Sequence, residues 1–263
     1  MITPLIDIHC HILPGLDDGP QSLEESIEMC KIAAEDGIAT IVATPHFRPG
    51  TYEGTDISEH IQRLQREIAR QGIRICILPG YDISVTPELP AYLRRDTSLF
   101  INRNGKYFLC EMPHETIPAM WDRFLLSVKQ FGMTPIITHP ERNRGFLRHP
   151  DALFPFVLGG GLIQITAMSV TGEFGPEAQE YCGFLLHRNL VHIIATDAHS
   201  AEKRRPILSE AMRVAADIVG KDAASRLVRD APQAVIEGRQ VDAPEPIMVL
   251  PRKKRWYHRV LDV

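Results

Sequence analysis

The chain has 263 residues, 44% of them hydrophobic and 24% charged, with a formal net charge of -4. Such a balance supports a sizeable packed core, argues against disorder and offers no general attraction to nucleic acid or an acidic membrane surface. The five cysteines show neither a C-x-x-C pair nor a secreted-type spacing, so they are expected as reduced thiols, and no apolar run nears the about 20 residues that span a bilayer; the expected location is the cytoplasm.

Leu5 to Ile8 opens a series of short apolar runs and leads into Asp7-Ile8-His9-Cys10-His11. Side chains alternate along a strand, so His9 and His11 share one face, where two imidazoles can hold one cation, and Cys10 faces the other way. Ser22 followed by Glu25 is a capping-box signal; Leu23, Ile27, Cys30 and Ala34 then recur at helical spacing until Gly37. Ala39 to Ala43 reads as a second strand and ends in Thr44-Pro45-His46. Asp56 to Gln71 repeats the helical spacing through Ile57, Ile61, Leu64 and Ile68, and Gly72 stops it. The third strand, Ile73 to Leu78, ends in Gly80-Tyr81-Asp82, the fourth, Tyr107 to Cys110, in Glu111, and the fifth, Pro135 to Ile137, in Thr138-His139-Pro140-Glu141-Arg142. Leu162 to Ile165 and Val191 to Ala195 complete seven, the last running into Thr196-Asp197-Ala198-His199.

Strands alternating with helices predict a parallel sheet, and seven units in a chain of this length favour a closed or nearly closed barrel, residues 1–240, over an open doubly wound sheet. The polar residues fall at the C-terminal end of strand after strand, where barrels build active sites; an open sheet would gather them at one switch point. Beyond Gln240 the composition shifts. Asp242 to Pro251 is proline-rich and Arg252 to Tyr257 basic and aromatic, so residues 241–263 read as a docking tail or a solvated terminus.

Taken in order, D-I-H-C-H-I-L-P-G-L-D-D-G, A-T-P-H-F, H-P-E-R-N, Q-I-T-A-M-S and T-D-A-H resemble the polymerase and histidinol phosphatase (PHP) family. Within it, the chain is similar to the metal-dependent tyrosine-protein phosphatases of capsular and exopolysaccharide biosynthesis, over Ile6 to Pro206. The resemblance implies a distorted (β/α)7 TIM-like barrel, the PHP fold, holding up to three divalent ions. Manganese is the metal it suggests; iron or zinc also suits imidazole and carboxylate ligands. Carried over by position, His9, His11, Asp82 and Asp197 would hold the first ion, and Asp18, His46 and His199 the second. Asp82 would bridge to a third, shared with Glu111 and His139. Arg142 falls on the family's phosphate-binding arginine, with Arg204 or Arg205 as a second. Where relatives carry glutamate in a G-x-E pattern, this chain has Asp82, one methylene shorter, and a weakened or absent third site is the alternative. The implied activity is hydrolysis of phosphotyrosine by metal-activated water, on a tyrosine kinase of polysaccharide export, with no nucleic acid and no stable membrane insertion.

An isolated H-x-H is more often a hydrogen-bonded pair, but the recurrence of histidines and carboxylates at strand ends favours ligands. Asp17 reads as a turn cap in Asp17-Asp18-Gly19-Pro20 and Asp18 as the ligand. His114 is the alternative to Glu111, while His60, His149, His187, His192 and His258 read as surface or core residues. Cys182 to Arg188 has the C-x5-R spacing of cysteine-dependent tyrosine phosphatases. Such a loop wraps phosphate with backbone N–H groups and favours small residues, whereas Phe184, Leu185 and Leu186 continue a helical pattern from near Pro176. Two rival functions stand beside the first: a small-molecule phosphatase of the histidinol-phosphate type, and a non-catalytic, metal-stabilised binding protein. Arg142, a fork of donors matched to phosphate, speaks against the latter.

Overall fold

The computed structural model describes residues 4–48, 56–119 and 121–248, so the basic and aromatic stretch Arg252 to Tyr257 lies outside the described residues. Nine strands are present among them: β1 (Leu5–Cys10), β2 (Ile38–Ala43), β3 (His46–Phe47), β4 (Cys76–Pro79), β5 (Asp82–Ser84), β6 (Tyr107–Glu111), β7 (Thr134–Thr138), β8 (Leu162–Thr166) and β9 (Ile193–Ala195). All pair in parallel, as β1-β2-β4 and as β3-β5-β6-β7-β8-β9. One isolated parallel bridge, Cys10 with Ala198, joins the first strand to the last. The result is a distorted seven-stave α/β barrel, as the alternation of apolar runs and helices predicts.

Seven runs become nine strands because two staves are broken. Pro45 has no N–H to give the ladder, and a Cβ at Gly80 would stand 2.7 Å from Val42 Cγ1, so only glycine lets the chains stay this close. Pairing resumes with the Asp82 N–H donating to the Pro45 carbonyl at 3.2 Å and with His46 in register with Asp82. The breaks set two candidate ligands side by side.

Element ends follow local chemistry. Ser22 caps the helix Leu23–Glu35 by accepting the Glu25 N–H at 3.2 Å, while the Glu25 carboxylate takes the Gln21 N–H. The third strand starts at Cys76 rather than Ile73, because the Ile73 N–H turns back to the Ile68 carbonyl at 2.9 Å and finishes the helix Ser58–Arg70. The seventh starts at Ile193 rather than Val191, since the His192 imidazole accepts the Ile163 N–H at 3.1 Å in place of a main-chain carbonyl.

The barrel interior is apolar: Ile6, Ile8, Val42, Leu109, Ile136 and Ile193 are buried together. Ala231, Val235 and Ile236 of the helix Asp230–Ile236 join that cluster and close the N-terminal end. Polar clasps fix this plug. Asn104 Nδ2 donates to the Val235 carbonyl, the Tyr107 hydroxyl to that of Arg239 and Lys106 Nζ to that of Gly238, at 2.7, 2.7 and 3.0 Å. The described start of the tail lies against the barrel: the Ile247 N–H reaches the Arg188 carbonyl at 2.9 Å, and Asn189 donates to that of Glu245 at 3.0 Å.

Candidate metal centre

The opposite end gathers His9, His11, Asp18, His46, Asp82, Glu111, His139, Asp197 and His199, contributed by six of the seven staves and the loop after the first. Three overlapping sets have ligand atoms mutually within 4.8 Å: His9, His11 and Asp82; His11, Asp18, His46 and His199; and His46, Asp82 and Glu111. Asp197 Oδ1 lies 3.4 Å from His9 Nε2 and 3.5 Å from His11 Nε2. His139 Nε2 stands 4.0 Å from Asp82 Oδ2. The grouping differs from the positional assignment in two details: His11 belongs to two sets, and Glu111 faces His46 at 3.6 Å. Asp82 stands where the first and third sets meet. His114 is exposed, leaving Glu111 as the carboxylate at the end of β6.

Nitrogen-to-oxygen separations across these sets run from 3.3 to 3.6 Å. They are long for hydrogen bonds, yet two atoms each about 2.1 Å from one tetrahedral cation lie roughly 3.4 Å apart. Asp82 Oδ2 and His46 Nδ1 are buried with no hydrogen-bond partner. A buried carboxylate oxygen left unpaired among imidazoles is costly unless a cation shares it. The residues therefore fit a cluster of divalent ions.

Electrostatics agree. Burial holds the imidazoles neutral, the form that coordinates: His9 is lowered to about 3 and His199 to about 4, and His46 and His139 also fall. Burial, with the charges of Glu111 and Asp197, raises Asp82 well above the carboxylate range. Burial also opposes ionisation of Asp197, but His9, His139 and Arg204 hold it below that range.

Several supporting residues were missed or undervalued in the sequence. Asp17, read as a turn cap, accepts His11 Nδ1 at 2.6 Å as well as the N–H groups of Gly19 and His46, so it orients one imidazole and ties two loops together. Gln164 Oε1 lies 2.8 Å from His9 Nδ1, and Thr138 Oγ1 donates to Asp82 Oδ1 at 3.3 Å. Each contact leaves the other polar atom of its partner, His9 Nε2 or Asp82 Oδ2, on the side of the cluster. Gln164 had a signal, a polar side chain interrupting the apolar Leu162 to Ile165. Asp7, raised to about 7 by burial, accepts the N–H groups of His9 and Thr196 at 3.2 and 3.1 Å and clasps the first strand to the last.

Two of the site residues, His139 and Asp197, hold left-handed backbone at φ 35° and 51°. Non-glycine residues rarely adopt it, and it accumulates where function demands a particular side-chain direction. Arg142 Nη1 donates to Asp197 Oδ2 at 2.5 Å. Arg204 Nη2 donates to the same oxygen and, at 2.8 Å, to the Asp197 carbonyl. Both guanidinium groups lie over the Phe174 ring, at 4.7 and 5.8 Å from its centre, a contact with no sequence signal. Arg205 points elsewhere, lining a side cavity of about 370 Å³ with Glu173, Lys203 and Glu210. Cys182 is 1% exposed on the helix Pro176–His187, and burial pushes its thiol well up, so no phosphate-wrapping loop exists there.

The chain is 36% identical over 212 residues to the tyrosine-protein phosphatase YwqE of Bacillus subtilis, covering 80% of this chain and 83% of that one. A solved structure described with YwqE of Bacillus subtilis and CpsB of Streptococcus pneumoniae as metal-dependent tyrosine phosphatases superposes with a TM-score of 0.88 at 32% identity, over 94% of this chain and 100% of that chain. A phosphotriesterase homology protein from Escherichia coli shares the fold alone, with a TM-score of 0.59 at 10% identity, over 89% of this chain and 99% of that chain. Residues 5–237 match the capsular polysaccharide synthesis family CpsB/CapC, and the chain belongs to that family.

Proposed function

We propose that the chain is a metal-dependent tyrosine-protein phosphatase, a phosphoric monoester hydrolase that removes phosphate from phosphotyrosine in a protein. The observation that carries this reading is the meeting of three overlapping ligand sets with the paired guanidinium groups of Arg142 and Arg204. His9, His11, Asp82 and Asp197 would hold one ion, Asp18, His46 and His199 a second, and Asp82, Glu111 and His139 a third. Bound there, divalent cations supply a water of lowered pKa as nucleophile and offset the charge of the phosphoryl group. Manganese is the metal we assign.

The protein's own groups do the rest. Arg142 and Arg204 present N–H forks beside the ligands, suited to the non-bridging phosphoryl oxygens, while Phe174 beneath them keeps both in place. Asp17 and Gln164 keep the His11 and His9 rings directed, so that little reorganisation accompanies the reaction. No protein nucleophile is required, and Cys182 is too buried to be one.

The physiological substrate we assign is a tyrosine kinase of polysaccharide export, met in the cytoplasm. No helix among the described residues is long and apolar enough to cross a membrane. Turnover of a phosphotyrosyl peptide and of histidinol phosphate by manganese-loaded protein, with and without chelator, tests the reading. Preference for the peptide and loss on chelation are expected; preference for histidinol phosphate defeats the substrate class, and turnover of neither, with a partner still bound, favours the non-catalytic rival.

A further inference from the structure

Between His139 and Arg142 stands Glu141, completely buried although its neighbour Arg142 is partly exposed. The backbone explains why a carboxylate lies inside. β7 and β8 pair in register as far as Thr138 and Gln164, and the His139 N–H adds one more rung by reaching the Gln164 carbonyl at 2.9 Å. In a continuing parallel ladder the His139 carbonyl would next take the Thr166 N–H. That carbonyl accepts the Arg142 N–H at 3.0 Å instead and closes the single helical turn Pro140–Arg142. The Thr166 N–H, left inside the protein, donates to Glu141 Oε1 at 2.9 Å. A side-chain oxygen thus replaces the missing strand carbonyl and keeps a buried donor paired.

This bond joins two segments that meet again at the phosphate fork. On one side Glu141 leads directly into Arg142. On the other, Thr166 caps the helix Ala167–Thr171, and the chain beyond it folds back so that the Met168 carbonyl accepts the N–H groups of Glu173 and Phe174, at 2.9 and 3.3 Å. Arg142 lies over the Phe174 ring, 4.7 Å from its centre, and donates to Asp197 at 2.5 Å. The guanidinium and its aromatic platform therefore come from different loops. Beyond the last main-chain rung, Glu141 ties the roots of those loops together.

We infer that Glu141 is a positioning residue for phosphate binding: its accepting oxygen keeps the turn that aims Arg142 in register with the segment that carries Phe174. It acts through Arg142 and takes no part in holding the ions. The inference rests on the phosphatase reading above.

The test is a double-mutant cycle on the manganese-loaded full chain, with p-nitrophenyl phosphate as substrate and inorganic phosphate as competitive inhibitor. Glu141→Leu, similar in volume but without an acceptor, should lower kcat about tenfold and weaken inhibition by phosphate by a similar factor, with metal content per chain unchanged. Glu141→Gln retains an acceptor oxygen and should restore kcat to within about threefold of the natural chain. Added to Arg142→Ala, Glu141→Leu should cost less than about twofold more, because the group it positions has gone. A merely structural glutamate would give the full tenfold loss in both backgrounds, and such additivity would overturn the inference. Loss of an ion from Glu141→Leu would overturn it as well, since the residue would then act through His139. Should Glu141→Leu fail to fold, Glu141→Met carries the same cycle, and failure of both marks Glu141 as structural and defeats the proposal. A natural chain that turns over no p-nitrophenyl phosphate sinks the phosphatase reading itself, whereas additivity in an active enzyme sinks this inference alone.

Discussion

The two ends of the barrel are made from the same strands and behave as different materials. At the N-terminal end Ile6, Tyr107, Leu162 and Ile193 are stoppered by Ala231, Val235 and Ile236, and clasps such as Asn104 to Val235 and Tyr107 to Arg239 pair the polar groups. At the C-terminal end buried imidazoles and carboxylates crowd together, Asp82 Oδ2 has no partner, and two residues hold left-handed backbone. One end is built for its own stability. The other carries buried charge and left-handed backbone that packing alone does not favour, as sites built for chemistry do.

The contrast can be broken from either side. Asp82→Asn should remove an oxygen shared between two ligand sets; metal analysis should show loss of at least one ion per chain, and kcat/KM on a phosphotyrosyl peptide should fall by more than about a thousandfold. Arg142→Ala or Arg204→Ala should keep the metal and lower kcat about a hundredfold, as removal of a preorganised donor does. At the stoppered end, Ile236→Ala should cost about 2–4 kcal/mol in urea unfolding while kcat of the folded enzyme stays unchanged. A large change in kcat would show that the two ends are not independent.

A smaller effect depends on pH. Burial lowers His192 from 6.5 to about 4, so the unfolded chain takes up a proton before the folded one does. Its contribution is present above about pH 6.5 and is lost as pH falls toward 4, on the order of 2–3 kcal/mol; His192→Asn should flatten that part of the stability profile relative to the natural chain. Least of all, Cys182→Ser should leave kcat/KM within about twofold.

What could be read in the sequence differs between the ends for a physical reason. A metal site needs uncommon residue types at fixed offsets from apolar runs, so His9, His46, His139 and Asp197 stand out in the sequence as candidate ligands. The stopper uses Ala231, Val235 and Ile236, which look like the buried face of any amphipathic helix and say nothing of what they cover. Proximity also escapes periodicity. Glu111 meets His46 where Pro45 and Gly80 break two staves, and only the folded loop shows that Arg204, not Arg205, lies against Asp197. Asp17 was underrated because a turn-capping aspartate and one that orients an imidazole occupy the same sequence context.

The seam between the first and last staves has a consequence for handling the protein. Backbone contact there includes the Asp197 N–H to the His9 carbonyl at 2.8 Å and the His11 N–H to that of Ala198 at 2.9 Å, and the side chains along it belong to the candidate metal centre. The ions would thus act as a buckle as well as a reagent. Stripping them should let deuterium enter first along this join, and a preparation that has lost its ions should become easier to proteolyse before it has lost its helices.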